Sequence, residues 1–261
     1  MDAVIALPFT TAFLAQAFLL SMRLGAAFAM SPLLAATAIP RVVRVLLVSG
    51  LSVALALVVP LQPLAPLLDQ PGSLFLAAFS ELALGAALGL GIQLAMGAFT
   101  FAGRLLDVQV GFSLVRVFDP LSNTRGAVIT TVLDQVGVLL FFLLNVHHVL
   151  LRGLAWSIER YPLGRAWPLA AAVGPLLKQV SSMFVLGLAL AAPVVFCLLL
   201  VELALAVIAQ SLPQMNMLVI GFPVKIVVGM TALALWAPEM NAAAARIYQS
   251  IYSSWNQILG A

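Results

Sequence analysis

Charge is what this sequence has least of. Twelve Lys and Arg and nine Asp and Glu among 261 residues amount to 8% charged side chains, against about 25% in an ordinary soluble domain. So few charges cannot cover a water-facing surface, which excludes a soluble enzyme, a nucleic-acid binder and a disordered tail. The net charge of +3 marks no basic patch and argues for no nucleic-acid partner. A single cysteine, Cys197, excludes an internal disulfide, and its apolar run Pro193–Leu200 reads as a lipid-buried thiol. The start, Met1-Asp2-Ala3-Val4-Ile5, lacks the basic region of a cleavable signal peptide, so the first apolar segment is expected to be retained.

Chemistry-bearing patterns are equally scarce. His147 and His148 are neighbours and point about 100° apart on a helix, without Cys or carboxylate at ligand spacing. Ser113 lacks a following glycine and a base. Gly85, Gly89 and Gly91 lie within a helical stretch and read as small faces for close helix packing, not as a phosphate loop. We expect no enzyme, no cofactor and no metal.

What is present is apolar. Hydrophobic residues make up 64% and the mean hydropathy is +1.16, which makes this a membrane protein. A helix needs about 20 apolar residues to cross roughly 30 Å of hydrocarbon. On that ruler the segments fall within Thr10–Thr37, Val45–Val59, Leu74–Ala102, Gly126–Leu151, Gln179–Gln210 and Met215–Trp236. Pro40, the Pro60–Pro71 cluster, Pro120, Pro162–Pro168 and Pro213 mark the gaps. The expected fold is an all-α membrane protein of about six long apolar helices arranged as helical hairpins. The tail, residues 239–261, adds an amphipathic C-terminal helix: Ile247, Ile251, Trp255 and Ile258 recur at helical spacing, as on a face laid against a membrane or a partner. Residues 103–125 form the longest connection with a structured look, and 157–177 read as an interfacial excursion.

The few charges sit in unexpected places. Glu81, Asp134, Glu202 and Lys225 lie inside apolar segments, and Arg23 falls mid-helix in the first. Facing lipid, all five would cost about 12–18 kcal/mol on insertion scales. They must meet one another, another subunit or water, unless some lie nearer the interface and snorkel. Spacing within one segment pairs none of them, so the partners lie across helices or across chains. Arg41, Arg44, Arg104, Arg116 and Arg125 balance Arg152, Arg160, Arg165, Lys178 and Arg246 on the other side, which leaves no positive-inside bias.

Several stretches together resemble the FliR family, a subunit of the bacterial flagellar type III export gate. They begin at Arg23, Ser31-Pro32 and Ile39-Pro40-Arg41-Val42-Val43-Arg44. The densest runs from Ala102 to Pro120 and holds Gln109-x-Gly111-x-Ser113 followed by Asp119-Pro120. Leu140–His147 with Asn145, Tyr161-Pro162-Leu163-Gly164, and Leu212–Lys225 with Pro213-Gln214-x-Asn216 and Ile220-Gly221-Phe222-Pro223 complete the set, in the family's order. Val146 stands where the family usually has Gly, and Val110 and Val115 where Met and Ala are common. The injectisome homologue SctT shares the Pro-Gln-x-Asn region; the Gln109-x-Gly111-x-Ser113 pattern favours the flagellar branch.

The resemblance implies a single membrane-embedded export-gate subunit over residues 1–261, needed for export of unfolded flagellar substrates and for basal-body assembly. It implies a hetero-oligomer with FliP-, FliQ- and FlhB-like membrane subunits, in contact with lipid, in the inner membrane at the flagellar basal body. It also makes the loop between the third and fourth segments a plug in the closed pore: Val110, Gly111, Phe112, Ser113, Leu114, Val115, Arg116, Val117, Phe118, Asp119 and Pro120. An apolar loop of this kind can exclude water and ions from a narrow lumen, although an ordinary interfacial loop wedged among headgroups has the same composition. The Pro213, Gln214 and Asn216 turn joins two segments into a hairpin that carries Glu202 and Lys225. These two charges either contact neighbouring subunits or pair with each other. A competing reading from another class is a secondary transporter using Asp134, Glu81 or Glu202 as a proton site, but the two-fold repeat expected of one is not found.

Overall fold

In the computed structural model the described residues are 10–31, 40–60, 71–112, 127–211 and 217–260. They form α1 (Thr11–Ala29), α2 (Arg41–Val58), α3 (Pro71–Val110), α4 (Val128–Leu143), α5 (Val146–Arg160), α6 (Ala170–Ser211), α7 (Met217–Trp236) and α8 (Met240–Ile258), with one 3₁₀ turn, Ala237–Glu239. No strand occurs among the described residues. Five helical stretches are long and apolar enough to cross a membrane, or six if α4 and α5 are taken as one broken span. The all-α membrane architecture expected from hydropathy is the one observed.

Three boundaries differ from the hydropathy reading. Helix α3 runs on through the polar stretch Gly103–Gln109 to Val110, so the following connection begins later than its composition suggests. Helix α6 starts nine residues earlier than its apolar run, at Ala170 instead of Gln179. The stretch 126–151, read as one segment, is broken at Asn145, which takes a left-handed conformation with φ 55° that a continuing helix cannot contain. At 40 and 42 residues, α3 and α6 have contour lengths of about 60 Å, roughly twice the hydrocarbon thickness.

The chain divides into two compact units. The first comprises Met1–Gln93, Asn145–Lys178 and Tyr252–Ala261, the second Leu94–Leu144 and Gln179–Ile251. In the first, α1 packs on α2, and Phe13, Leu19, Leu20, Ala56, Ala77, Ile158 and Leu163 form its apolar core. Gly85 and Gly89 lie on one face of α3, four residues apart, and let the α1 backbone come in at Arg23 and Ala27: a Cβ on Gly85 would stand 2.1 Å from the Arg23 carbonyl oxygen. This is the small-face packing expected of them. Trp255 sits against Gly91 and Gly153, and its Nε1 donates to the Leu88 carbonyl at 3.0 Å.

In the second unit, Tyr248 stacks edge-on to Phe141 and tilts against Phe99, with its hydroxyl donating to the Gly137 carbonyl. The apolar face of α8 is thus turned inward: Ile247, Tyr248, Ile251, Trp255 and Ile258 are all buried in the chain. The tail was expected to offer that face to a membrane or a partner. The chain's own helices cover it, and Gly91 and Gly153 leave a seat for the Trp255 ring.

Candidate functional site

The first polar joint is built around Arg23. Burying a guanidinium in a helix pair requires a counter-charge and enough acceptors for its remaining donors. Glu81 on α3 supplies the charge, with Oε2 accepting from Arg23 Nε at 2.6 Å, and the two side chains are 2% and 1% exposed. The Ser157 hydroxyl on α5 accepts from Nη1 at 3.3 Å, and the Tyr161 carbonyl accepts from Nη2 at 2.8 Å. The other carboxylate oxygen of Glu81 accepts from the Gly164 N–H at 3.1 Å. Gly164 can present that N–H because it holds φ 80°, open to glycine and strained for most side chains. Ser80, one residue earlier, accepts from the Trp167 N–H and donates to the Arg165 carbonyl. Three sequence-distant pieces, around Arg23, around Glu81 and from Ser157 to Trp167, therefore meet at one ion pair.

The second joint is at the end of α3. Helix α4 begins without a side-chain cap of its own, its N-cap position being Ala127. Asp107 supplies the cap from outside: its carboxylate accepts from the N–H groups of Ile129 and Thr130, each at 2.9 Å, and from the Thr130 hydroxyl at 2.6 Å. An acceptor at these second and third helical positions satisfies orphan donors and meets the positive end of the helix dipole. Asp107 is 4% exposed. One turn earlier on α3, Gly103 lets the Thr130 backbone approach, and Thr100 Oγ1 donates to Asp134 Oδ1 at 2.7 Å.

Beyond that joint lies a cavity of about 390 Å³, lined by Gln109, Val110 and Gly111 from α3 and its end, Glu202 and Leu205 from α6, and Gly221, Phe222 and Lys225 from α7, among others. Glu202 and Lys225 pair directly at 2.5 Å, with 37% and 26% of their side chains exposed. Gly111 holds φ 99°, and a Cβ placed on it would touch the Phe222 ring at 3.0 Å. Pro223 inside α7 withholds one backbone donor beside this cavity. Two stretches separated by more than a hundred residues, Gln109–Gly111 and Gly221–Lys225, thus share a single lining.

Of the singled-out residues, Arg23 meets Glu81, Glu202 meets Lys225, and Asp134 meets Thr100. Val110 is fully buried and Gly111 and Phe112 close the helix end. The loop residues Ser113, Leu114, Val115, Arg116, Val117, Phe118, Asp119 and Pro120, and the turn residues Pro213, Gln214 and Asn216, lie outside the described residues. Sequence reasoning gave no role to Asp107 or Ser157, and named Gly164 only as part of the Tyr161–Gly164 stretch. The signal for Asp107 was an acid at a helix end, with a following apolar segment that starts Gly126-Ala127-Val128 and so lacks a capping side chain.

These features define a multi-span helical membrane protein whose long helices are tied by charged and capping joints. The sequence pattern of the bacterial export proteins, family 1, matches residues 14–251, and the chain belongs to that family. It is similar to the flagellar biosynthetic protein FliR of Bacillus subtilis (strain 168), 33% identical over 178 residues that cover 64% of this chain and 68% of that one. The flagellar biosynthetic protein FliR of Escherichia coli (strain K12) is 29% identical over 235 residues, 89% of this chain and 88% of its own. The Yop proteins translocation protein T of Yersinia pestis is 26% identical over 206 residues, 77% and 79% of the two chains.

Proposed function

We propose that this chain is a pore-forming structural subunit of the bacterial flagellar type III export gate, in the inner membrane at the basal body, with no catalysis of its own. It assembles with FliP-, FliQ- and FlhB-like membrane subunits, and unfolded flagellar proteins pass through the assembly. Family membership and the identity to two FliR proteins support the export role. The Gln109-x-Gly111-x-Ser113 pattern favours the flagellar branch over the injectisome.

The observation that carries the gating part is the shared cavity. Gln109–Gly111 leads directly into the apolar loop, and Gly221–Lys225 with Glu202 forms the opposite wall. That loop runs in sequence from Gly111, beside Phe222, to the α4 start that Asp107 caps, and its centre is apolar in sequence. Such a centre closes a lumen by excluding water and yields to a passing chain. Deleting the gene in its host tests the function. The expected result is loss of flagellar filaments and motility with growth unchanged; motile, filamented cells overturn the reading.

A further inference from the structure

We propose that the exposed face of α4 docks an apolar helix of another polypeptide chain, and that Asp134 pairs with a single Lys or Arg on that helix. The inference rests on reading this chain as a subunit of a larger membrane assembly. Val128, Thr131, Gln135, Val138 and Phe142 recur every three or four residues along α4 and so share one side of it. Val138 is half-buried and the other four are exposed. The stripe is about 20 Å long, the shape that a second helix laid alongside covers. Asp134 borders it, with Thr131 and Val138 as its neighbours one turn before and after.

Asp134 is half-buried and is the one charged residue of α4. Its Oδ1 accepts from Thr100 Oγ1, a neutral partner that leaves the charge uncompensated. The ion pairs among the described residues are Arg23–Glu81 and Glu202–Lys225, and Asp134 is in neither. The exposed Gln135 amide likewise makes no hydrogen bond among the described residues. Neither water nor lipid suits such a face. In water, Val128, Leu139, Phe142 and Leu143 lie open together as an apolar patch. In lipid, the amide and the carboxylate lack the partners that hydrocarbon cannot supply. A protein helix that is apolar along its length and brings one cation to the level of Asp134 satisfies both, and carboxylates within apolar helices are typically paired across helices in this way.

Host cells making the full chain with photoreactive benzoylphenylalanine in place of Leu139 are irradiated, and the cross-linked peptides are sequenced by mass spectrometry. The expected product joins Leu139's position to an apolar segment of another membrane protein, with a Lys or Arg within two turns of the cross-linked residue. Asp134→Asn keeps an acceptor for Thr100 but removes the charge, and lowers the yield of that product about fivefold, as for the loss of one partly exposed ion pair. Asp134→Glu retains most of it. Asp134→Lys sets like charges together and abolishes it, and exchanging the captured Lys or Arg for Asp in the partner restores it. Cross-links to lipid alone, to a second copy of this chain or to a segment without a cation overturn the proposal, as does an undiminished yield in both Asp134→Asn and Asp134→Lys. Motility separates this test from that of the gate. Lipid-only cross-links in cells whose motility depends on the chain overturn the docking and leave the gate reading standing. A cation-bearing partner captured in cells that stay motile without the gene supports the docking and overturns the gate reading.

Discussion

Glu81 reaches Arg23 across two helices at 2.6 Å, and its second oxygen is held by the N–H of Gly164, 83 residues further along the chain. The carboxylate therefore ties a helix pair to a turn as well as neutralising a charge. Removing one member of such a pair leaves the other buried and uncompensated, at a cost of about 3–5 kcal/mol. Glu81→Leu and Arg23→Met are each expected to lower the unfolding free energy of the detergent-purified chain by that order, read as an earlier denaturation midpoint. Combining Arg23→Met with Glu81→Leu is expected to cost less than the sum of those same two single changes, because no lone charge remains. Additive losses contradict the pairing.

Asp107→Ala removes the cap of α4 and strands three donors. Loss of an N-cap costs about 1–2 kcal/mol. The amides of Ile129 and Thr130 are expected to exchange with solvent faster in Asp107→Ala, with Asp107→Asn intermediate. Unchanged protection of these two amides counts against the cap.

Space distinguishes the glycines. Gly153→Ala places a Cβ 2.0 Å from the Trp255 ring, and the expected result is a destabilised chain with altered tryptophan fluorescence. Gly174, on α6, has open space around its Cβ position, so Gly174→Ala is expected to be neutral or stabilising by up to about 1 kcal/mol through helix propensity.

Glu202 and Lys225 form a half-exposed pair, for which a modest effect is expected. Glu202→Lys or Lys225→Glu alone places like charges together at the cavity and is expected to reduce motility in swarm plates. The double exchange is expected to restore it. Failure of the exchange to restore motility would assign these charges to contacts with other subunits.

Hydropathy made the helical membrane class and most helix cores legible, since 20-residue apolar runs have few other solutions. It also made plain that Arg23, Glu81, Glu202 and Lys225 needed partners. It offered the Glu202–Lys225 pair only as one of two alternatives and named no partner for Arg23, because both pairs form through tertiary contact and no helical spacing encodes either. The continuation of α3 through Arg104 and Asp107 was hidden for a related reason: tertiary packing against Thr130 and capping by Asp107 stabilise a polar helical end that composition reads as a loop. The inward face of α8 was legible as amphipathic, but its target depended on glycines at positions 91 and 153 that leave room for Trp255.

In the proposed gate, the loop that follows Gly111 closes a pore. The most direct measurement is small-ion conductance across the inner membrane of cells in which residues Gly111–Phe118 are deleted from the assembled complex. A raised leak, with filament export wholly or partly retained, is the predicted result. An unchanged conductance with the complex stably assembled would contradict it.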